Sequence, residues 1–325
     1  MNKDEILCLL KDGSDKYISG GEICKKLGIS RTAVWKHIRS LQEEGYGIDA
    51  VPSRGYRLVS VPDRLYPSEI AYGLNTEFTG KEIYYFDSVE STNREARKLA
   101  AEGVPGGTLV VAEEQTGGRG RLGRGWFSPK GLGIWCSLVI RPEIIPGEAP
   151  PVTMLTAVAV ASAVEKVAGI KPGIKWPNDI LVGGKKVCGI LTEMSAEMER
   201  INFLIVGVGI NVNIPEECFP EELKDIAASL HCFGKGPLSR LELLRQFLSD
   251  FELSYSIWME RGFGPVLEEW RRRCVTLHRR VRLYTVRETW EGLAEDVDQS
   301  GALLLRLPDG TVKPFVAGEV SLKSE

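Results

Sequence analysis

The segment 108–140, TLVVAEEQTGGRGRLGRGWFSPKGLGIWCSLVI, decides how the central part of the chain folds. Its two ends, Thr108–Glu113 and Ile134–Ile140, are short apolar runs rich in β-branched residues, and both are predicted to be strands. Between them, residues 118–123 match G-x-G-x-x-G, the fingerprint of a dinucleotide-binding turn that opens a helix. Here a proline, three glycines and another strand follow instead. The segment therefore predicts strand, loop and strand, and it excludes a Rossmann crossover.

The loop between these strands concentrates glycine and positive charge. The ten residues from Gly117, GGRGRLGRGW, contain five glycines and three arginines. No Gly-Lys-Ser or Gly-Lys-Thr follows, the signatures of a kinase are missing downstream, and an arginine-glycine RNA tether would be longer and repetitive. Glycines let backbone amides approach a ligand, and arginines bind phosphate or carboxylate oxygens. We expect a mobile cationic loop that closes over an anionic ligand.

Further runs predict the rest of a sheet layered with helices. Segment 91–103 begins with a capping Ser91 or Thr92, segment 152–169 is apolar nearly all round, and segment 238–262 is long and amphipathic, so all three are predicted helices. The additional predicted strands are Ile83–Phe86, Ile174–Trp176, Lys186–Met194 and Phe203–Ile210. The fold class is α+β, with a central mixed-sheet catalytic domain with helices.

The first sixty residues carry a different pattern, SGGEICKKLGISRTAVWKHI at 19–38 followed by YGIDAVPSRGYRLV at 46–59. Gly28 can end one helix and Ser30 can cap the next, whose basic residues face outward. Two short strands around a turn then form a wing. The pattern predicts an N-terminal winged helix-turn-helix, although a small protein-docking module would share its charged face. The candidate DNA-binding residues are Ser30, Arg31, Thr32, Lys36, Arg39 and Arg54.

The last fifty residues change again, to short alternating strands separated by turns at 299–301 and 308–310. This pattern predicts a C-terminal small SH3-like β-barrel. The predicted domains are 1–62 for the winged helix-turn-helix, 63–82 for a linker, 83–274 for the catalytic domain and 275–325 for the barrel.

Composition limits the possible functions. The 325 residues carry a net charge of −3, so nucleic acid contact must come from a local patch. The amino terminus lacks a targeting pattern and no stretch approaches the length of a membrane span, so we expect a cytoplasmic protein without a membrane partner. The seven cysteines form no C-x-x-C pair, and most of them are expected in the core. The three histidines lie far apart in sequence, which argues against a histidine metal cluster or a histidine-based triad.

Two further stretches point to the ligand of the arginine loop. KWPND at 175–179 ends a strand with a cation, an aromatic ring, an amide and a carboxylate. Asn178 and Asp179 could read an adenine edge or hold a metal, or they could simply form a polar turn that opens the hairpin DILVGGKKVCG. GVGINVN at 207–213 ends another strand with small residues, which suits a close approach of backbone to ligand.

With STN at 91–93, GGRGRLGRGW, KWPNDILVGGKKVCGI and GVGINVN in this order, the chain resembles the biotin protein ligases. The helix-turn-helix in front and the ending GEVSL resemble the bifunctional members, which are also biotin operon repressors. Cys188, before Gly189, is unusual where a small side chain is expected. The resemblance implies that biotin and ATP, with Mg²⁺, give biotinyl-5'-AMP, and that biotin then passes to a lysine of the biotin carboxyl carrier protein of acetyl-CoA carboxylase.

The resemblance also assigns residues to roles. The candidate catalytic residues are Lys186, Arg119 and Arg121. The biotin-binding residues would be Ser91, Thr92, Asn93, Gln115, Arg119, Gly120, Arg121, Lys186 and Gly189. The nucleotide-binding residues would be Arg124, Trp126, Lys175, Asn178 and Asn211, and Asp179 would hold Mg²⁺.

Regulation is implied in the same way, because bound adenylate would promote a homodimer that places two winged helices on operator DNA. Three alternatives stay open from the residues. The chain could be a ligase without repressor activity, a related acyltransferase such as a lipoate ligase, or a transcription factor that senses biotin without catalysis.

Overall fold

A computed structural model of the chain describes residues 2–13, 16–234, 236–285 and 287–322, which divide into two compact units, Met1–Arg64 and Leu65–Glu325. In the first unit, three helices pack together and a two-stranded antiparallel wing follows them. The elements are α1 (Asn2–Asp12), α2 (Gly20–Leu27), α3 (Arg31–Glu43), β1 (Gly47–Val51) and β2 (Gly55–Ser60).

Local sequence explains the turn between α2 and α3. Gly28 adopts the left-handed conformation that ends α2, with φ of 67°, and the Ser30 hydroxyl accepts the Ala33 N–H at 3.2 Å to cap α3. The inward stripe of Val34, Ile38 and Leu41 is buried, as predicted. The predicted winged helix-turn-helix is confirmed.

The second unit is built on a seven-stranded mixed sheet in which only the first pair of strands is parallel. Its order is β3-β4-β5-β9-β8-β7-β6. The strands are β3 (Ile83–Phe86), β4 (Leu109–Ala112), β5 (Gly133–Ile140), β6 (Gly173–Lys175), β7 (Asp179–Val182), β8 (Lys185–Ala196) and β9 (Ile201–Asn211). The predicted strands are all present, with ends that differ by at most two residues.

Helices cover both faces of this sheet. Alternate side chains of β4 enter different apolar clusters: Leu109 and Val111 join the main core with the later helices, whereas Val110 packs with Ala96 and Ala100 of α5. The helices are α4 (Pro67–Ala71), α5 (Thr92–Glu102), α6 (Pro151–Ala168), α7 (Arg240–Arg261) and α8 (Gly264–Arg273). The sequence reasoning missed α8, which follows α7 after a two-residue break at Gly262 and Phe263.

One segment, Pro146–Ala168, has the length and composition of a membrane span, so the expectation that no stretch comes close was wrong. About 67% of its most apolar window is buried inside the protein, and its side chains belong to the main core. An apolar helix buried in a globular core passes the same test.

The C-terminal segment forms a five-stranded antiparallel sheet within the second unit. Its strands are β10 (Arg280–Tyr284), β11 (Thr289–Val297), β12 (Leu303–Arg306), β13 (Val312–Phe315) and β14 (Glu319–Leu322). Four strands form a meander and β14 returns to pair with β10, which agrees with the predicted small barrel. Positions 323–325 of that prediction lie outside the described residues, and the predicted domain limits stay predictions.

Candidate active site

A cavity of about 550 Å³ opens at one end of the central sheet, within the second unit. The arginine loop, the KWPND stretch, the start of β8 and the end of β9 form its walls, together with the STN turn and part of β14. Every residue predicted for biotin, nucleotide or metal lines it: Ser91, Thr92, Asn93, Gln115, Arg119, Gly120, Arg121, Arg124, Trp126, Lys175, Asn178, Asp179, Lys186, Gly189 and Asn211. The structure brings them together, while their individual roles remain predictions.

The arginine loop is a small hairpin. Gly120 N–H donates to Arg124 O at 2.7 Å, and Trp126 N–H donates to Gly118 O at 2.9 Å. At its tip, Leu122 takes a left-handed conformation with φ of 55°. Side-chain exposure separates the arginines: that of Arg119 is 71% and that of Arg124 is 66%, whereas Arg121 is directed into the protein.

Arg121 is held in the cavity wall by Asn178 of the KWPND stretch. Its Nη1 donates to Asn178 Oδ1 at 3.1 Å, and the Asn178 amide in turn donates to Ile190 O at 2.8 Å. Burial lowers the pKa of the Arg121 guanidinium, and the carboxylates of Asp179 and Glu319 oppose that shift. A guanidinium that has lost part of its water and stays charged interacts strongly with an entering anion.

Lys186 lies near the base of the hairpin, close to Trp126. Its Nζ is 2.6 Å from Asp179 Oδ1 and 5.1 Å from the centroid of the Trp126 ring. The side chains of Lys186 and Asp179 are 30% and 19% exposed. The ammonium therefore lies near the sheet rather than in bulk solvent, with a carboxylate and an aromatic face as its neighbours.

Glycines of β8 and β9 make room for the Trp126 indole. A Cβ added to Gly209 would lie 2.3 Å from Trp126 Nε1, and one added to Gly189 would lie 3.0 Å from Trp126 Cζ3. A Cβ on Gly207 would lie 2.1 Å from Asn93 Oδ1. Protein side chains fill part of the space above Gly207 and Gly209, although both glycines line the cavity, so a close approach of ligand to this backbone stays a prediction.

The STN turn is fixed to the sheet by a hydrogen-bond network. Thr92 N–H and Oγ1–H donate to Gln115 Oε1 at 2.8 and 3.0 Å. The buried Ser137 hydroxyl lies 2.8 Å from Thr92 Oγ1 and 2.7 Å from Asn93 Oδ1, and Asn93 Nδ2 donates to Glu193 Oε2 at 2.7 Å. The side-chain amide of Asn93 is therefore largely engaged in hydrogen bonds within the protein. Ser91 is the N-cap residue of α5 but makes no side-chain capping bond.

Several of the other predicted residues also bond within the protein. The buried Asn211 amide donates to Ala228 O at 3.0 Å, which fixes the segment behind β8. Lys175 is the last residue of β6, and the following Trp176 is buried with its Nε1 donating to Gly301 O at 3.1 Å. The aromatic residue of KWPND therefore belongs to the core, at the wall of the cavity.

Sequence reasoning missed Glu319 as a residue of the cavity. Glu319 Oε1 accepts from Arg124 Nη1 at 2.5 Å, although 195 residues separate the two in sequence. β14 brings Glu319 there because it pairs with β10. The GEVSL ending was the available signal, but only the tertiary fold shows that it faces the arginine hairpin.

The cysteines fit the expectation only in part. Cys136 and Cys188 are buried, and burial raises the pKa of the Cys136 thiol to about 12. Cys218 and Cys232 are exposed, so the prediction of core positions was wrong for them. All seven cysteines are free.

The predicted DNA-binding residues lie in the first unit. Arg31, Thr32, Lys36 and Arg39 are exposed on α3, whereas the Ser30 hydroxyl is engaged in the helix cap. On the wing, the exposed Arg54 has its guanidinium carbon 4.5 Å from the centroid of the Tyr17 ring. These residues form a basic face of helix and wing.

Comparison with known families agrees with this arrangement. The model of the biotin/lipoate A/B protein ligase family matches residues 85–211, a helix-turn-helix domain matches 2–57, and the biotin protein ligase C-terminal domain matches 276–323. The matches follow the order winged helix, cavity and C-terminal sheet.

Individual proteins are similar over nearly the whole chain. The bifunctional ligase/repressor BirA of Bacillus spizizenii is 44% identical over 97% of this chain and 97% of its own length, and BirA of Escherichia coli is 29% identical over 98% and 97%. The Aquifex aeolicus biotin protein ligase in complex with biotin and ATP has a TM-score of 0.66 and 31% identity, covering 75% of this chain and all of that one. The chain belongs to the biotin protein ligase family, in its bifunctional ligase/repressor group.

Proposed function

We propose that the chain joins biotin to ATP in the cavity, giving biotinyl-5'-AMP and pyrophosphate, and transfers biotin to a lysine of the biotin carboxyl carrier protein of acetyl-CoA carboxylase. The observation that carries this proposal is the convergence of Arg119, Arg121 and Lys186 on one cavity. Three cations around a space of about 550 Å³ suit two ligands that are both anionic at their reacting ends.

In the first step, a biotin carboxylate oxygen forms a bond to the α-phosphorus while the bond from that phosphorus to the bridging oxygen of pyrophosphate breaks. Both reactants are anionic, so their repulsion must be neutralised. Lys186 and Arg121 would bind the carboxylate and α-phosphate oxygens. Because Lys186 pairs with Asp179 in the structure, ligand oxygens would replace or share that carboxylate as its partner.

Asp179 is our candidate for holding Mg²⁺, which would shield the phosphate charges. No group of three or more His, Cys, Asp or Glu side chains suited to a metal occurs among the described residues. A nucleotide-borne Mg²⁺ needs only one or two carboxylates besides phosphate and water, which fits a single aspartate beside the arginine hairpin.

In the second step, the neutral amine of the carrier lysine attacks the carbonyl carbon of the mixed anhydride, and AMP leaves. No nucleophile on this chain is required. The chain's task is to retain the adenylate and exclude water, and the exposed Arg119 on the hairpin would close over it.

The intact mass of a carrier fragment after incubation with the protein, biotin, ATP and magnesium tests the ligase. We expect a gain of one biotin that requires ATP and the acceptor lysine. Lys186→Gln should abolish the gain, whereas Lys185→Gln should retain it, because Lys185 Nζ donates to Lys224 O rather than lining the cavity. A carrier that stays unmodified with the unchanged chain, or equal loss in both variants, would contradict the assignment.

We further propose that the protein acts in the cytoplasm as a repressor, with the bound adenylate as corepressor that promotes a homodimer on operator DNA. The exposed basic face of α3 and the wing supports this role. Operator affinity and molar mass should both rise when biotin and ATP are added. A gel shift that is identical without the ligands would contradict the linkage and leave a ligase that is not a repressor.

A further inference from the structure

An exposed tryptophan lies in the second turn of α3. The Trp35 residue is 50% exposed, whereas Trp135, Trp176 and Trp270 are almost completely buried. A single exposed ring is common on protein surfaces, so what matters for Trp35 is the charge of the side chains around it.

The surroundings of Trp35 are cationic. Arg31 and Arg39 are one turn away on either side, and Lys36 is adjacent, all of them exposed. The Arg39 guanidinium carbon lies 5.2 Å from the centroid of the Trp35 ring, which restrains both side chains. A polyanion is the partner whose charge complements this face.

We propose that Trp35 reads the 5-methyl group of a thymine in the major groove, while Arg39, held against the indole, reaches a neighbouring base edge or phosphate. The inference rests on the proposed operator binding. Recognition helices enter the major groove, and thymine methyl is the apolar group that the groove presents there. An indole carries no charge to pair with phosphate and offers only one N–H donor, so most of its ring surface is suited to an apolar contact with a base.

The test uses an operator selected from a random duplex library by the full-length chain with biotin and ATP. Each thymine is then replaced singly by deoxyuridine, which removes only the methyl group, and the dissociation constants are measured. With the unchanged chain, we expect at least one replacement to weaken binding about fourfold, the factor that the transfer energy of one buried methyl group corresponds to.

Trp35→Ala should bind more weakly and show a ratio near one at that same position, while Trp35→Phe should keep part of the discrimination. Lys36→Ala is the matched control, and it should weaken binding to every duplex while it retains the fourfold ratio. Unchanged biotin transfer by Trp35→Ala would show that the second unit is intact, and its circular dichroism would report on α3.

If no duplex is enriched, operator binding itself fails and the assignment of Trp35 fails with it. If an operator is enriched but no thymine is sensitive, or Trp35→Ala retains the ratio, only the thymine contact is overturned. A variant that loses homodimer mass instead of base discrimination would make Trp35 a contact between protein copies and would also overturn the inference.

Discussion

A buried ion pair in the second unit gives a stability prediction. Arg240 Nη1 lies 2.9 Å from Glu113 Oε2, and both side chains are 0% exposed. Arg240 Nη1 also donates to Gly133 O at 3.1 Å, and Glu113 Oε1 accepts the Leu65 N–H at 2.8 Å. Glu113 and Gly133 flank the segment that contains the arginine hairpin, so Arg240 of α7 joins the two ends of that segment.

Arg240→Met should destabilise the second unit because it removes the guanidinium that pairs with the buried Glu113 carboxylate. Loss of one partner of a buried pair costs about 3–5 kcal/mol in the free energy of unfolding. For a unit of this size, about 2–4 °C per kcal/mol gives a fall in Tm of roughly 6–20 °C. The variant Glu113→Gln combined with Arg240→Met removes both charges and keeps an acceptor for Leu65. Its cost should fall to about 1–3 kcal/mol, mainly from Gly133 O losing a donor.

These costs in the free energy of unfolding are measured by thermal unfolding of the full chain, from the transition whose midpoint shifts when biotin is added. The double variant should be more stable than Arg240→Met alone. If the double variant is no more stable than Arg240→Met alone, charge pairing does not dominate at this position, and the reasoning is refuted.

Three further predictions concern the site and the response to pH. Gly209→Ala should push the Trp126 indole from its place, because the new Cβ would lie 2.3 Å from Nε1. The affinities for biotin and ATP, measured by calorimetry, should then fall at least tenfold. Unchanged affinities would show that Trp126 is not part of the ligand site. In the folded protein at pH 8, iodoacetamide should modify the exposed Cys218 but spare Cys136, whose buried thiol has a pKa of about 12. Peptide mass mapping measures the modification, and faster modification of Cys136 would contradict this prediction. Burial raises the pKa of Glu252, but hydrogen bonds from the backbone and hydroxyl at 77–79 lower it below its ordinary value. Its stabilising contribution should therefore be complete above about pH 4.3, the ordinary glutamate pKa, and should be lost as the pH falls through the pKa of the folded protein. Glu252→Gln should then lower the free energy of unfolding less in acid than at pH 7. An equal loss at both pH values would be inconsistent with the lowered pKa.

The local elements could be predicted because their signals are local. Gly28 and Ser30 mark the turn of the helix-turn-helix, and the apolar runs around the arginine loop mark two strands, so both features are confirmed. The break at Gly262 was interpreted only as the end of a helix, so the short helix that follows it was missed. Local patterns determine where elements begin and end, whereas the packing of a short helix depends on distant partners.

The sequence by itself determined the family, the three kinds of domain and most of the residues that gather at the cavity, because the motifs stand in order and lie at or near strand ends. Tertiary structure decided what each residue can still offer a ligand. Trp126 rests on Gly209, Asn93 bonds to Ser137, and Glu319 arrives from a strand 195 residues away from Arg124. The physical reason is that hydrogen-bond capacity and free volume depend on neighbours in space, and spacing along a chain does not specify those neighbours.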